Sequence, residues 1–396
     1  MKSWNKFEEK IQSLINEEKF ISIGWKIQSI NKVLTEGLIN GEQSRIQLKK
    51  SNHPIYRIYS MTKPLISMLA LMAIERNKLS LQDPIKNYLP YFGKTEVETS
   101  SLLREKLTRP ITILDLLTHT SGLSYGFNND CHIGTQYRNN RLIHRSNVSL
   151  KEFVEYVAEY PIAFQPGTKW QYSLATDVLA HILEIIHDAA IETILADLIL
   201  KPLSMKDTAY FVPKEKLWRL MPIYGEPDLD RVTDSQSKVR QLNEINLECF
   251  YSSNKKKYQA RGGHGLFSTT ADYSTFCKVI LEDAIKNSKK LISKNMLTFA
   301  LKNQLPLSQI PIKINGEARE GYGWNLIGRV KTLKSKVSSN SKLREFGWAG
   351  AASTYFWIDP YLKITGTIMT QHLGHGYPIG EDLRDFFYRH AAKIIK

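Results

Sequence analysis

Cysteine is scarce in this chain of 396 residues: Cys131, Cys249 and Cys277 are widely spaced, odd in number and include no C-x-x-C pair. That excludes a disulfide framework and the usual zinc motifs, leaving inert thiols in reducing surroundings as the expectation. Long apolar runs are also missing. The longest, Leu65–Ile74, falls far short of the roughly 20 residues needed to span a bilayer. The opening residues, MKSWNKFEEKIQSLINEEKF, mix charged with apolar side chains and lack the continuous apolar region of a secretory signal. A soluble, cytoplasmic protein without a transmembrane segment is expected. No Lys/Arg-rich segment is interleaved with aromatics as an RNA-stacking surface would be, so no nucleic-acid partner is read. Internal repeats and low-complexity tracts are absent.

What is present is ordinary globular material with a strong basic bias. Hydrophobic residues at 42% and charged residues at 23% are enough for a substantial core. The formal net charge of +15 allows weak electrostatic contact with anionic surfaces and says nothing about fold. Basic residues gather at Lys255–Lys257 and between Arg329 and Arg344. Phe7, Ile11, Leu14 and Ile15 fall on one face of a helix over residues 1–20. Two β-rich runs, Ile21–Ile27 and Val33–Ile39, flank a turn near Asn31. From Met61 to Arg76 runs a helix apolar nearly all round, which belongs between layers of a domain. The stretch from about 80 to 300 is mainly helix and loop, with helical patterns at Ile113–Leu117, Lys151–Tyr160 and Thr176–His187. Strands return at Gly321–Val330, Ser353–Ile358 and Lys363–Thr370, and a last helix covers about Glu381 to Ile395. The expected fold is α/β of the α+β type. N- and C-terminal strands close one antiparallel sheet flanked by helices, and a mainly helical region is inserted between them. The expected division is an N-terminal helix (1–20) and one catalytic domain (21–390), its sheet region at 21–75 and 300–396 and its helical region at 76–299.

The pattern S-x-x-K occurs at Ser60/Lys63 and also at Ser3/Lys6, Ser29/Lys32, Ser235/Lys238, Ser252/Lys255, Ser253/Lys256 and Ser339/Lys342. Context separates the first from the rest, because it alone opens a long apolar helix and is followed at once by proline, Pro64. Proline is tolerated in a first helical turn, where its missing N–H would have had no partner. The helix therefore starts close to Ser60, whose backbone N–H and hydroxyl stand at the positive end of the helix dipole. Residues three apart share a face, so the Lys63 amine reaches the Ser60 hydroxyl, and burial in an apolar helix lowers its pKa towards that of a general base.

Six blocks in order carry a resemblance across roughly 20–390. They are Ile55-Tyr-Arg-Ile-Tyr-Ser-Met-Thr-Lys-Pro, Lys78-Leu-Ser-Leu-Gln-Asp-Pro, Leu117-Thr-His-Thr-Ser-Gly-Leu, Pro166-Gly-Thr-Lys-Trp-Gln-Tyr-Ser-Leu-Ala-Thr-Asp, Gly262-Gly-His-Gly-Leu-Phe-Ser-Thr and Gly347-Trp-Ala-Gly-Ala-Ala-Ser-Thr. In these the chain resembles the class C β-lactamase-like serine hydrolases, a family that includes penicillin-binding proteins, D-aminopeptidases, esterases and amide hydrolases. The resemblance implies a β-lactamase/transpeptidase-like fold and a Ser60 acyl-enzyme. Lys63 and Tyr172 would share base duty, and the backbone N–H groups of Ser60 and Ala351 would hold the oxyanion. Tyr172 matches the family's Tyr-x-Asn tyrosine by context, with Ser173 as N-cap of the next helix and Asp177 in its first turn. A literal Tyr-x-Asn, Tyr137-Arg138-Asn139, lies in a polar stretch without a scaffold.

Two departures bear on the substrate. Leu174 stands where the family's asparagine would be, and Trp348, before Ala349 and Gly350, replaces the lysine of Lys-Thr-Gly. Each loss of a charge-assisted hydrogen bond costs about 1.5–3 kcal/mol, which favours an ester or amide with a neutral or apolar acyl group over a penicillin. The branch implied is esterase-like. A true β-lactamase, a D-amino acid peptidase or transpeptidase, and a catalytically retired module binding peptidoglycan or a protein are the alternatives. Gly122-Leu-Ser-Tyr-Gly126 is a literal G-x-S-x-G, but a nucleophile elbow needs a strand before Ser124 and a helix after it, and neither is read here. His119 is expected to be structural and His264 to line the pocket. His372 and His375 lack acidic partners at metal-binding spacing, so no metal and no cofactor is proposed. The expected partner is a small-molecule ester, amide or lactam.

Overall fold

The computed structural model describes residues 2–44, 46–98, 103–128, 130–145, 148–225, 228–231, 260–286, 288, 290–314, 316–332, 344–374 and 376–390. Cys249, Lys255–Lys257, most of the basic stretch before Arg344, His375 and the final residues 391–396 lie outside them.

The N-terminal helix, α1 (Lys2–Asn16), buries Phe7, Ile11, Leu14 and Ile15. Strands β1 (Ser22–Ser29) and β2 (Val33–Asn40) follow as a hairpin. The apolar helix, α2 (Thr62–Glu75), is buried nearly along its whole length. Helix α3 (Ile113–Thr118) packs on α4 (Ala175–His187), which packs on α2, and α5 (Thr270–Lys286) lies against the sheet. The C-terminal strands are β3 (Tyr322–Trp324), β4 (Arg329–Lys331), β5 (Phe346–Gly350), β6 (Thr354–Asp359) and β7 (Ile364–Met369), and α6 (Ile379–His390) ends the described chain. One antiparallel sheet of seven strands runs β3-β4-β5-β6-β7-β1-β2, so the N-terminal hairpin completes a C-terminal sheet as expected.

Alternation along the strands divides the core. On one face Ile23, Trp25, Ile27, Tyr355 and Trp357 pack under α1 and α6, and on the other Phe356, Ile358 and Met369 join the larger core around α2 and α5. Two tryptophans lie across glycines of neighbouring strands: Trp25 pairs with Gly37 and Trp357 with Gly366, where a Cβ would sit 2.3 and 2.1 Å from the indole. Residues 321–330, expected as one strand, form the hairpin β3–β4. Asn325 turns the chain there, its side-chain oxygen accepting from Ile327 and Gly328 N–H at 2.8 and 2.7 Å. Among the described residues, no helix is long and apolar enough to cross a membrane.

A short pairing positions the site. Ile55–Arg57 runs antiparallel to Phe267–Thr269, and Ile58 N–H donates to the Leu266 carbonyl at 3.0 Å. This lays the glycine-rich turn before Leu266 beside the start of α2. Gln371, just past β7, clamps the same segment, accepting from Arg57 N–H and donating to its carbonyl, both at 3.0 Å.

Candidate functional site

Ser60 lies in a single 3-10 turn, Tyr59–Met61, that runs directly into α2. Tyr59 has φ of 44°, left-handed backbone rarely adopted by a bulky residue, and the turn is held by Tyr273 donating to the Met61 carbonyl at 2.9 Å. Strand β5 approaches the turn closely because position 350 has no side chain: a Cβ there would meet the Ile58 carbonyl oxygen at 2.4 Å. Gly350 therefore brings Ala351 to the edge of the cleft that contains Ser60.

Lys63 is 2% exposed, and three oxygens surround its Nζ: Ser60 Oγ at 3.3 Å, Tyr125 Oη at 2.8 Å and the Gly263 carbonyl at 2.8 Å. The Tyr172 ring lies beneath it, with the centroid 4.7 Å away. Burial drives the Lys63 pKa down to about 7, against the opposing charge of Asp177. A neutral amine has two N–H bonds and a lone pair. The Gly263 carbonyl can only accept, whereas the Tyr125 and Ser60 hydroxyls can each accept or donate, so the lone pair is shared between two hydroxyls within reach.

Tyr172 is buried, and its oxygen meets the Ser60 hydroxyl and the Trp348 indole, whose Nε1–H donates at 3.0 Å. Burial pushes its pKa up, and those two hydrogen bonds oppose the shift without reversing it. His119 closes α3 in left-handed backbone at φ 57° and packs against Tyr172 with centroids 4.9 Å apart, its Nδ1 bonded to Ser173 Oγ at 3.1 Å. Burial, then the charge of Lys63, keeps the imidazole well below its usual pKa. The Ser173 hydroxyl thus meets His119 and, at 3.4 Å, also accepts from Ala175 N–H at the start of α4. The residue at the N-cap of α4 is Leu174, without a side-chain cap, so the expected serine cap is corrected.

The other sequence candidates separate clearly. Leu174 is buried in the core, and its N–H donates to the Ser124 carbonyl at 3.2 Å. Ser124 is fully buried, its hydroxyl engaged by Asn128, Gln171 and the Tyr125 carbonyl, which ties down a loop and leaves no base at hand. Tyr137 packs edge-on against Tyr160, and its hydroxyl has no hydrogen-bond partner among the described residues. His264 borders the cleft with Tyr59, Ser60, Tyr125, Phe127, Ile143, Leu229, Gly263 and Ala351. Burial, then Arg261 and Lys63, holds its pKa well below the usual value. The cleft is small, about 30 Å3. A larger hollow of about 490 Å3 lies between Lys86 and Arg109 but contains no nucleophile–base pair, so size does not decide the assignment.

His144, Asp228 and Asp230 bring possible metal-ligand atoms within 4.8 Å of one another near the cleft. Arg141 bonds Asp228 at 2.6 Å and His144 Nδ1 at 3.0 Å, and His144 Nε2 lies 3.0 Å from oxygens of Asp228 and Asp230, so the three side chains are already tied to one another.

Sequence reading passed over Tyr125, Gly263 and Asp177. Tyr125 lies inside the literal G-x-S-x-G pattern, whose spacing points to the serine and not to the phenol that meets Lys63. The Gly262–Gly265 stretch signalled permissive torsions, not a carbonyl aimed at Lys63. For Asp177 a place in the first turn of α4 was legible, but its proximity to Lys63 was not.

Comparison with known proteins agrees with this architecture. The Beta-lactamase family model matches residues 47–386. Protein Rv1367c of Mycobacterium tuberculosis is 29% identical over 80% of this chain and 77% of its own, and Esterase EstB of Burkholderia gladioli is 24% identical over 89% and 86%. The solved structure of EstCE1, described as a hydrolase with promiscuous acyltransferase activity, superposes with a TM-score of 0.76 at 18% identity, over 98% of this chain and 99% of that one. With one family model spanning most of its length, over the sheet and helical layers described above, this chain belongs to the β-lactamase family, in the esterase-like branch of hydrolases and acyltransferases.

Proposed function

We propose that the protein is a serine hydrolase that cleaves esters or amides of small, neutral or apolar acyl groups through a Ser60 acyl-enzyme. The observation that carries the reading is the Ser60 hydroxyl standing 3.3 Å from the amine of a buried lysine at the start of α2. With a pKa of about 7, Lys63 is deprotonated in about half of the molecules at neutral pH and accepts the serine proton as Ser60 attacks the carbonyl. The backbone N–H groups of Ser60 and Ala351 hold the oxyanion. Tyr172, kept protonated by burial, gives its proton to the leaving group, and the proton that Lys63 took from Ser60 replaces it, so the pair ends acylation as it began. Water then repeats the sequence on the acyl-enzyme.

The walls support the acyl preference. Tyr59, Phe127, Ile143 and Leu229 are apolar, and His264 is neutral at neutral pH. The cleft beside Ser60 is narrow, about 30 Å3, which favours short acyl chains over long ones. Trp348 is occupied with Tyr172 and offers a penicillin carboxylate no cation. A screen of nitrophenyl acetate, butyrate and octanoate, D-amino acid amides and nitrocefin, with Ser60→Ala as control, tests the assignment. Acetate and butyrate should turn over fastest. Nitrocefin hydrolysis at a comparable kcat/KM, or ester turnover surviving in Ser60→Ala, would overturn it. Adding butanol separates hydrolysis from acyl transfer by the yield of butyl ester.

A further inference from the structure

Asp177 is fully buried in the first turn of α4, and the reaction just described makes no use of it. Its Oδ1 accepts from Gly263 N–H at 3.0 Å, and the Gly262 N–H also acts on the carboxylate. A carboxylate kept from water is retained at a cost unless donors surround it. Gly263 is the pivot, because its carbonyl accepts from Lys63 Nζ at 2.8 Å while its N–H is held by Asp177. A Cβ at this position would lie 2.6 Å from Asp177 Oδ2, 2.8 Å from Tyr125 Oη and 3.1 Å from Lys63 Nζ. A bare backbone is therefore required where carboxylate, phenol and amine converge. At position 262 a Cβ would meet the Thr176 carbonyl oxygen at 2.0 Å, so the whole turn lies flat on α4.

We propose that Asp177 is a positioning residue for acyl transfer at Ser60: its carboxylate fixes the Gly263 peptide, whose carbonyl in turn holds the Lys63 amine against the serine. The inference rests on the reading of Lys63 as base. The groups around that amine come from every neighbouring element: Ser60 and Tyr172, Tyr125, the Gly263 carbonyl and Asp177, with His119, His264 and Arg261 further out. Burial keeps both histidines neutral at neutral pH, and Arg261 remains a cation, its pKa lowered by burial to about 10. Burial raises the pKa of Asp177 against the opposing charge of Lys63, and its carboxylate form favours protonated Lys63. Removing that charge makes the amine easier to deprotonate.

Two variants test this: Asp177→Asn keeps the shape and removes the charge, and Asp177→Ala also removes the anchor of Gly263. With nitrophenyl acetate as substrate, the acid limb of kcat/KM for the Asn variant should move at least half a pH unit below that of the unaltered enzyme. The Ala variant should lose ten-fold or more in kcat while KM changes less than two-fold. A folded Ala variant that keeps its kcat, or an unmoved limb in a folded Asn variant, overturns the proposal. Should neither variant fold, 13C-lysine NMR of the unaltered protein decides, with the Lys63 ε-carbon identified by its loss in Lys63→Arg. Titration in two steps, the second from Asp177, supports the proposal, and a single step overturns it. If a fluorophosphonate fails to label Ser60 in the unaltered protein, the hydrolase reading itself is lost. A labelled, active enzyme with an unmoved limb removes the role of Asp177 alone.

Discussion

Lys63→Met should change the pH dependence of stability in a way that packing differences cannot imitate. The amine titrates near 7 in the folded protein because burial disfavours its charge, against an ordinary value of 10.5. Its folded pKa is depressed, so between pH 7 and about 10 the unfolded chain holds a proton that the folded chain does not, and stability rises with pH across that window. Each pH unit is worth about 1.4 kcal/mol where the two states differ by a full proton. From pH 7 to pH 9, with Lys63 half titrated at the lower limit, the gain is about 2 kcal/mol. Methionine has no such proton and approximates the lysine stem in length. Urea unfolding of both proteins at pH 7 and pH 9 gives the difference in stability at each pH, and most other titrating groups cancel in the comparison. The unaltered protein should gain about 2 kcal/mol on the variant between the two conditions. A difference that stays flat, or falls with pH, would refute the depressed lysine and with it the derivation of the base.

Two further substitutions follow from the contacts of Tyr172. Tyr172→Phe removes the phenol at the serine oxygen and should lower kcat for ester hydrolysis by roughly 10²–10⁴-fold, with fluorophosphonate labelling of Ser60 slowed less because its leaving group needs no proton. Steady-state and labelling rates measured side by side check that contrast. Trp348→Phe removes the indole N–H donor to Tyr172 while keeping an aromatic wall. It should cost about 1 kcal/mol, or several-fold in kcat, equally for acetate and butyrate esters. A change confined to one acyl length would instead assign Trp348 to substrate contact.

Much of the fold was legible because its signals are local. The β-rich runs that form β1 and β2, the all-round apolar character of α2 and the periodicity of α1 are local signals that the structure bears out. The start of α2 could be placed within a residue or two because proline has few places to sit in a helix. Boundaries failed where side-chain commitments are long-range. Ser173 accepts from Ala175 N–H but stands one residue before the N-cap, Leu174, and also bonds His119, 54 residues earlier, and the single strand expected at 321–330 is folded back by Asn325. Within the site, the serine–lysine pair is four residues of sequence. Gly263, by contrast, reaches Lys63 only because Ile55–Arg57 pairs with Phe267–Thr269 across 200 residues. Tyr125 is brought in by the loop that Ser124 stabilises, and no spacing along the chain encodes that meeting.

The central claim is that Ser60 is acylated because Lys63 deprotonates it. Intact-mass and peptide-mass analysis after brief incubation with a fluorophosphonate tests it most directly, across pH 5.5 to 8.5. The account predicts a single adduct on the peptide containing Ser60, forming faster as pH rises through about 7 and absent from Ser60→Ala and Lys63→Met. An adduct on Ser124, or labelling of Ser60 that persists unchanged in Lys63→Met, would contradict it.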